Sequence, residues 1–460
     1  MRLFPLLGLI LILAQPPAAV ADTRSPNNEG EISLSFAPVV RMASPAVVSI
    51  YARKVVATRV SPFANDPFFS QFFDFGEAAP RVQNALGSGV VLRADGIVVT
   101  NFHVVGDADQ IRVVLNDRRE FDATVILSDA SADLAVLQLA GATDLPDLIL
   151  ADSDQAEVGD LVLAIGNPFG VGQTVTSGIV SGLARAGARL GRGKGYFIQT
   201  DASINPGNSG GALVDMKGRL LGINTSILSP SGASNGIGFA IPSNLVARYV
   251  EQAEAGATEA VRPWAGIEVQ PVDADMAEAI GLPGPNGVAV THLHPESPFA
   301  KAGVVAGDVI TAIDGQPVDA PQELDYRLAT HSIGARVPLA FWHDGALTER
   351  EVELTAAPGG DARPTEIGDG SIFSGLALSD LTPALIDRLG LPLSAEGVVV
   401  TGVAGAARQT GLQIGDILIG VNGATVGRAV DFAAAIARGG HSWQVDLIRD
   451  GQRAYVQLRG

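Results

Sequence analysis

The sequence predicts a mainly β chain in which a long β-rich segment is followed by two copies of a smaller module. Between residue 32 and about residue 256, short runs of Val, Ile and Leu alternate with Gly, Asp and Asn, as in strands joined by turns. Two related strings, at residues 287–315 and 397–423, indicate the repeated module. The chain has 460 residues, of which 47% are hydrophobic, so material for several cores is available.

A serine framed by glycines lies in the β-rich segment, where residues 207–211 read Gly-Asn-Ser-Gly-Gly. Such a turn keeps the Ser209 hydroxyl clear of other side chains and lets backbone N–H groups point at an oxygen that becomes negative, as acyl transfer requires. The hydroxyl needs a base to take its proton, and His103 is the one histidine before the repeats. A glycine-rich turn without chemistry is the alternative.

Asp133 supplies a carboxylate at the start of an apolar strand, residues 134–139. A buried carboxylate is costly unless it is held, and an imidazole N–H is a suitable partner that also fixes the tautomer of the ring. Asp129 competes for this role, but we interpret it as a turn residue. The order His103, Asp133, Ser209 is that of the chymotrypsin-like double β-barrel, which we therefore predict.

One helix is predicted at the end of the β-rich segment. Ser243 is placed to cap it and Gly256 to end it. Its apolar face is formed by residues at helical spacing, namely Leu245, Val246, Tyr249 and Val250. Helices are also expected in the repeats, near residues 320–329 and 429–437, and tight hairpins at 314–315 and 422–423.

The strings around these residues resemble the HtrA (DegP/DegQ-like) family of serine proteases. They are residues 100–105, 166–170, 200–213 and 236–242, with the Asp133 segment. The resemblance covers nearly the whole mature chain. It implies an ATP-independent envelope endopeptidase that degrades misfolded or unfolded proteins and forms homotrimers, with larger cages left open. A chaperone or PDZ scaffold with minor proteolysis is the alternative function.

The two repeats resemble PDZ domains, which hold a C-terminal carboxylate in backbone N–H groups and pair the peptide with a sheet edge. We call them PDZ1 and PDZ2. The peptide-binding loop expected in PDZ1 consists of Trp264, Ala265, Gly266 and Ile267. In the matching loop of PDZ2, residues 373–376, Ser374 replaces the usual apolar residue. Peptide binding and a packing role between subunits therefore both stay open for PDZ2.

The resemblance and the barrel geometry imply further site residues. The oxyanion donors are expected to be backbone N–H groups of Gly207, Asn208 and Ser209. Three isoleucines are expected to line an apolar substrate pocket that prefers Val, Ala or Ile, namely Ile204, Ile227 and Ile237. Arg185, in a basic and glycine-rich segment, is the candidate contact that signals a bound peptide. A solvated basic loop is the alternative.

The predicted organisation begins with a signal peptide at residues 1–21. It has Arg2, an apolar run shorter than the ~20 residues that span a membrane, and a small-x-small cleavage site at 19–21. An uncleaved anchor is the alternative. The protease domain (22–256), PDZ1 (257–357), a linker (358–370) and PDZ2 (371–460) follow. We therefore expect export to the periplasm and no stable membrane span.

Composition limits the partners and cofactors. A net charge of −18 gives no general attraction for nucleic acid. No cofactor or metal is expected, because the chain has no cysteine and no carboxylate cluster accompanies His292 and His294. A segment with six phenylalanines, residues 61–75, resembles the loop through which family members contact other subunits. Packing against its own barrel is the alternative.

Overall fold

The computed structural model describes residues 35–56, 81–106, 108–167, 172–183, 196–205, 207–227, 236–360, 363–368, 370–438, 440, 442–449 and 451–459. Three predictions therefore lie outside the described residues. They are the signal peptide at residues 1–21, the phenylalanine-rich segment 61–75, and Arg185.

Six antiparallel strands form the first closed barrel. They are β1 (Val47–Val56), β2 (Arg81–Val91), β3 (Ile97–Thr100), β4 (Gln110–Val114), β5 (Glu120–Asp129) and β6 (Leu134–Leu139). Around the barrel their order is β1-β2-β3-β6-β5-β4. Helix α1 (Ala37–Ala43) precedes the barrel, and the single turn α2 (Phe102–Val105) directly follows β3.

A second barrel of the same size follows. Its strands are β7 (Leu161–Gly166), β8 (Thr174–Gly182), β9 (Ile198–Thr200), β10 (Ala212–Asp215), β11 (Leu220–Ile227) and β12 (Gly238–Pro242). They close in the order β10-β11-β12-β9-β8-β7. The predicted double β-barrel is confirmed. Fully buried aliphatic side chains, Leu137 in the first barrel and Leu213 in the second, fill the interiors.

Helix α3 (Ser243–Glu254) follows the second barrel and buries Val246, Tyr249 and Val250, as the apolar spacing predicts. The prediction that Ser243 is the cap is wrong, because the cap position is Pro242 and makes no side-chain hydrogen bond. The Ser243 hydroxyl instead donates to the carbonyl of Ala151 at 2.7 Å. The Ser243 hydroxyl is therefore engaged in a tertiary hydrogen bond and does not cap the helix.

PDZ1 is a six-stranded antiparallel sheet with three helices. The strands are β13 (Ile267–Pro271), β14 (Val288–Leu293), β15 (Val309–Ile313), β16 (Gln316–Pro317), β17 (Arg336–His343) and β18 (Ala346–Glu353). The helices are α4 (Ala274–Ile280), α5 (Pro298–Lys301) and α6 (Pro321–Ala329). The main order is β13-β14-β15-β17-β18, so β13 is an edge strand.

PDZ2 repeats this plan with one additional strand. The strands are β19 (Thr365–Glu366), β20 (Leu376–Asp380), β21 (Val398–Val403), β22 (Ile417–Val421), β23 (Ala424–Thr425), β24 (Ser442–Arg449) and β25 (Gln452–Arg459). The helices are α7 (Pro383–Leu389) and α8 (Ala429–Ala437). The order is β19-β20-β21-β22-β24-β25, so part of the segment predicted as a linker is a strand.

The two predicted hairpins are present at equivalent places in the modules. Asp314 and Gly315 have φ of 50° and 71°, and Asn422 and Gly423 have φ of 49° and 79°. Positive φ at both central residues is the requirement of a type I′ turn, which matches the twist of the flanking strands. The sequence therefore located these turns from residue type alone.

Helix α6 of PDZ1 contacts the protease domain directly. Arg327, 7% exposed, lies with Nη1 2.6 Å from the Asp154 carboxylate. Tyr326 stacks on Tyr196 with ring centroids 4.0 Å apart. Burial, together with the nearby Asp154 carboxylate, raises the pKa of Tyr326, so its hydroxyl stays neutral. The contact thus combines an ion pair with an aromatic stack.

Removing the Tyr249 hydroxyl should destabilise the protease domain. This hydroxyl donates to the Asp129 carboxylate at 2.5 Å. We expect Tyr249→Phe to lower the free energy of unfolding by about 1.5–3 kcal/mol at pH 7, the usual contribution of a hydrogen bond to a charged group. Calorimetry of the full chain measures the change, and Tyr455→Phe, at a residue that is 66% exposed, is the control.

The pH dependence of this contribution has a defined sign. Burial by itself favours the neutral acid, but hydrogen bonds from Ser131 and Tyr249 leave the pKa of Asp129 below its usual 3.8. The stabilisation is therefore complete above pH 3.8 and is lost as the pH falls through the lower value of the folded state. A difference between Tyr249→Phe and the parent that stays constant down to pH 2 would contradict this assignment.

Candidate active site

His103 and Asp133 form a hydrogen-bonded pair at the mouth of the first barrel. His103 lies in α2, immediately after β3, and Asp133 immediately precedes β6, the neighbour of β3. The Nδ1 atom of His103 is 2.9 Å from both Asp133 carboxylate oxygens. If Nδ1 carries the proton toward the carboxylate, Nε2 keeps its lone pair and can act as a base.

The Asp133 carboxylate has two further donors. The backbone N–H of His103 donates to it at 3.0 Å, and the Thr225 hydroxyl donates to it at 2.6 Å. Asp133 itself has φ of 54°, a left-handed conformation that aspartate tolerates better than most residues. The carboxylate therefore has a fixed direction, set by donors from both barrels, since Thr225 belongs to β11.

Ser209 lies beside this pair and is joined to it through Thr225. Its hydroxyl donates to the Thr225 carbonyl at 2.8 Å. Across the part of the chain that the structure describes, no hydrogen bond links this hydroxyl to the His103 ring. The structure thus brings His103 and Asp133 into contact and leaves Ser209 turned toward β11.

Asp129, the competing aspartate, has a different set of partners. It accepts from the backbone N–H and hydroxyl of Ser131, at 2.7 and 2.6 Å, and from Tyr249. A carboxylate that accepts from a backbone N–H two residues later is an Asx turn. Its side chain is therefore occupied by the turn between β5 and β6 and by helix α3. This observation favours Asp133 as the partner of His103.

The turn that carries Ser209 is held by the first barrel. The Ser88 hydroxyl, on β2, donates to the Gly207 carbonyl at 2.6 Å, and the Ser88 N–H donates to the Ser209 carbonyl at 2.8 Å. Gly207 has φ of 101°, in the region that favours glycine. A Cβ at Gly210 would lie 2.1 Å from the Ser88 carbonyl oxygen, so no larger residue fits at that position.

The predicted oxyanion donors differ in their present partners. The Asn208 N–H donates to the Asn205 carbonyl at 2.9 Å, so it is engaged within the turn. In the described part of the chain, the backbone N–H groups of Gly207 and Ser209, which lie in a turn, donate to no backbone carbonyl. The oxyanion role of this turn stays a prediction, and the contacts favour Gly207 and Ser209 over Asn208 as donors.

The three predicted pocket residues are spread over the second barrel. Ile204 is 1% exposed and packs against Gly238, where a Cβ would lie 2.8 Å from the Ile204 Cδ1. Ile237 is partly buried against the large core of the protease domain. Ile227 ends β11, and its side chain lies outside the described residues. Their role in substrate choice stays a prediction.

Asp201 is the nearest acidic residue to the predicted pocket in the sequence. It accepts from the backbone N–H of Ile179 at 2.7 Å, which ties it to β8. This bond engages one oxygen of the carboxylate, and the expected preference for apolar residues at the cleaved position stays a prediction.

The predicted peptide-binding loop of PDZ1 precedes the free edge of β13. The Gly266 carbonyl accepts from the His294 N–H at 2.8 Å, which ties the loop to the end of β14. The ring of Trp264 covers Gly266, where a Cβ would lie 2.7 Å from ring atoms. Ile267 starts β13. The loop thus leads into a sheet edge with which no strand of the described ranges pairs, the arrangement that a peptide strand can join.

The histidines of PDZ1 have separate partners. His292 Nδ1 lies 3.0 Å from a Glu268 carboxylate oxygen, and His294 packs edge-on against Trp264. Among the residues that the structure describes, no group of three His, Asp or Glu side chains could hold a metal ion. In the same residues, no helix combines the length and hydropathy that crossing a membrane requires.

Comparisons with known families agree with this architecture. Residues 87–223 match the family model of the trypsin-like peptidase domain, and residues 263–354 match that of the PDZ domain. Two six-stranded barrels with a His–Asp pair at their seam, followed by PDZ domains, define a trypsin-like serine endopeptidase that carries PDZ domains.

Individual relatives make the family explicit. The periplasmic pH-dependent serine endoprotease DegQ of Escherichia coli K12 is 40% identical over 434 residues, which cover 92% of this chain and 91% of that protein. The periplasmic serine endoprotease DegP of Salmonella typhimurium is 38% identical over 442 residues, 90% of each chain. The chain belongs to the HtrA family of serine endoproteases, with DegP and DegQ.

Solved structures show the same relationship. The HtrA-type protease AlgW with a tripeptide is 39% identical and covers 71% of this chain and 99% of its own, with a TM-score of 0.53. The same protease with a decapeptide is 40% identical and covers 70% and 99%, with a TM-score of 0.52. The chain is therefore a serine endopeptidase by family as well as by fold.

Two site residues were not found by sequence reasoning. Thr225 joins Asp133 to Ser209, and Ser88 donates to the carbonyls of Gly207 and Ser209. Each is an ordinary hydroxyl residue inside a strand, and Ser226 stands beside Thr225 in β11. Only the pairing of the strands shows that they face the site, so the sequence carries no local signal for them.

Replacing Asp133 by Asn should remove most of the activity without unfolding the chain. The amide keeps the shape of the carboxylate but favours the wrong tautomer of His103, a change that typically lowers kcat by about 10⁴-fold. Initial rates on casein measure the effect. Asp129→Asn is the matched control, and it should leave kcat nearly unchanged because Asp129 contacts neither His103 nor Ser209. A larger loss for Asp129→Asn would reverse the assignment.

The Thr225 hydroxyl should contribute to catalysis through the orientation of Asp133. We expect Thr225→Val to lower kcat by about 10- to 100-fold, since a hydrogen bond to a charged group is typically worth ~1.5–3 kcal/mol. Thr225→Ser restores the hydroxyl and should restore most of the rate. Equal rates for the Val and Ser variants would show that the hydroxyl has no such role.

Proposed function

We propose that this endopeptidase degrades misfolded or unfolded proteins of the bacterial envelope, using Ser209, His103 and Asp133. Ser209 attacks the scissile carbonyl, and His103 takes its proton through Nε2 and later returns it to the leaving amine. Asp133 orients the ring and stabilises the imidazolium. The observation that carries the proposal is the His103–Asp133 pair at 2.9 Å, with Ser209 linked to it through Thr225.

The resting position of the Ser209 hydroxyl suggests that its reactivity is regulated. A hydroxyl that donates to the Thr225 carbonyl is a weaker nucleophile than one that donates to an imidazole. Turnover therefore requires a rearrangement that turns the hydroxyl to His103 and directs backbone N–H groups at the oxyanion. We propose that binding of substrate supplies this rearrangement.

PDZ1 is proposed to capture apolar C-termini of substrates. The support is the loop from Trp264 to Ile267 at the free edge of β13, and the printed description of AlgW, which was solved with a decapeptide. Helix α6 flanks this edge and also contacts Tyr196 and Asp154 of the protease domain. A peptide that moves α6 would act directly on this contact.

Arg185 is proposed to report the bound peptide to the active site. It lies in residues 184–195, which are outside the described residues, and Tyr196 is the first described residue after them. Because Tyr196 stacks on Tyr326, the chain that carries Arg185 is connected to helix α6. The alternative role for Arg185 is an ordinary solvated basic loop.

The compartment and assembly belong to the same proposal. The printed names of DegQ and DegP describe periplasmic proteins, which supports a periplasmic location together with the signal-like residues 1–21. Homotrimers, and cages built from them, are supported by the family resemblance. A chaperone activity beside proteolysis is the second function that the resemblance suggests.

Digestion of casein with and without an activating peptide tests the proposal. The wild type should cleave casein, and a peptide with an apolar C-terminus should stimulate cleavage, within the 5- to 150-fold that couplings of about 1–3 kcal/mol produce. Ser209→Ala should cleave nothing and lose labelling by fluorophosphonate. If it still prevents aggregation of unfolded protein, the holding activity is separate from proteolysis.

Two variants isolate the coupling in the same assay. Tyr326→Ala and Arg185→Ala should keep fluorophosphonate labelling of Ser209 and lose most of the stimulation by peptide. Arg336→Ala changes a PDZ1 arginine whose side chain is 69% exposed, and serves as the control. Wild-type stimulation in both Tyr326→Ala and Arg185→Ala would refute the proposed route from PDZ1 to the site.

A further inference from the structure

A short strand of the chain itself lies on the outer edge of PDZ2. β19 pairs antiparallel with β20, with Thr365 opposite Leu378 and Glu366 opposite Ala377. In PDZ1 the strand equivalent to β20 is β13, and no strand in the described ranges pairs with its outer edge. Within the described residues, the edge that a PDZ domain offers to a peptide therefore has no strand partner in PDZ1 and has one in PDZ2.

The loops that begin these two strands correspond closely. The Gly266 carbonyl accepts from the His294 N–H at 2.8 Å in PDZ1, and the Gly375 carbonyl accepts from the Ala404 N–H at 2.8 Å in PDZ2. Both glycines have positive φ, 63° and 87°. Gly375 is therefore the structural equivalent of Gly266, a residue of the predicted peptide-binding loop.

Ile367, the residue after β19, forms backbone hydrogen bonds with the loop that contains Gly375. Its N–H donates to the Leu376 carbonyl at 2.8 Å, and its carbonyl accepts from the Gly375 N–H at 3.1 Å. In a bound peptide, the last residue pairs with the sheet edge and its carboxylate accepts N–H groups from the loop. Ile367 makes both kinds of contact, with an amide carbonyl in place of the carboxylate.

The side chain of Ile367 is buried as that of a bound C-terminal residue would be. It is 8% exposed, whereas its neighbours Glu366 and Gly368 are exposed. Ile367 belongs to the apolar cluster of PDZ2, together with Phe373 of the loop and Phe432 of helix α8. The linker thus places one apolar side chain into the domain and leaves polar residues outside.

Ser374 holds the chain that follows Ile367. Its hydroxyl lies 3.1 Å from the Gly368 carbonyl and 2.7 Å from the Ser371 carbonyl, and it accepts from the Ser371 N–H at 3.2 Å. The equivalent position in PDZ1 is Ala265, which has no hydroxyl. The serine that departs from the family pattern is therefore used to bind the linker rather than to bind a free C-terminus.

We propose that the linker is an internal ligand of PDZ2, with Ile367 in the position of a C-terminal residue. PDZ2 is then a latent site for apolar C-terminal peptides, closed in the resting chain by its own residues 365–367. The inference rests on the proposed role of PDZ1, since it takes PDZ1 as the open site. In the resting chain, PDZ1 alone receives substrate C-termini.

Peptide stoichiometry in the full chain tests the proposal. The probe is a fluorescein-labelled decapeptide that ends in a free isoleucine carboxylate, titrated into the Ser209→Ala protein so that it is not cleaved. The parent should bind one peptide per chain. Ile367→Asp places a charge in the apolar pocket, expels the linker, and should bind two. Glu366→Ala, on the exposed side of β19, is the matched control and should bind one.

A cross-link tests the position of the linker without disturbing Ile367. Glu366 and Ala377 are directly opposite each other, and the chain has no cysteine. Opposite residues of neighbouring strands are within reach of a disulfide when they do not exchange hydrogen bonds. Glu366→Cys with Ala377→Cys should therefore oxidise nearly completely, and the oxidised protein should still bind one peptide.

Each outcome of these measurements decides the proposal. Two peptides bound by the parent, an unchanged count in a folded Ile367→Asp protein, or failure of the cysteine pair to oxidise would each overturn it. If PDZ1 does not capture peptides, the parent count is zero and that of Ile367→Asp is one. That result refutes the proposed function of PDZ1 and supports the internal ligand in PDZ2.

Discussion

The hydrogen bond between Asp133 and Thr225 is the contact on which the site depends. Asp133 belongs to the first barrel and Thr225 to the second, so a carboxylate that orients His103 also joins the two barrels. Ser88 makes the reciprocal connection, from the first barrel to the turn that carries Ser209 in the second. A shift of one barrel against the other would therefore disturb both the His103–Asp133 pair and the turn that carries Ser209.

Much of the fold followed from the sequence because its signals are local. Short apolar runs indicated the strands. Residues that tolerate positive φ, such as Asn422, indicated the hairpins. The pairing of His103 with Asp133 was predicted because His103 is the one histidine before the repeats and the order of His103, Asp133 and Ser209 is informative. Thr225 could not be found in this way, and Ser243 was assigned wrongly, because tertiary partners decide what a hydroxyl bonds to.

The two PDZ domains share one fold and differ at the same sheet edge. Both present a loop and an edge strand, but in PDZ2 the edge is covered by β19, which comes from a segment that reads as a polar linker. The one feature that distinguishes this segment from an ordinary linker is the apolar residue Ile367. Whether its side chain is buried depends on the register of β19 against β20, which the sequence alone does not reveal. PDZ1 instead uses its helix α6 to contact the protease domain.

We propose that Ser209 turns from the Thr225 carbonyl to His103 for catalysis. A crystal structure of the protein with a peptide phosphonate bonded to Ser209 tests it most directly. We predict that the Ser209 oxygen leaves Thr225 and lies about 2.6–3.2 Å from His103 Nε2, with Asp133 still bonded to Nδ1. A phosphonate adduct in which His103 stays out of reach of Ser209, or has lost Asp133, would contradict the account.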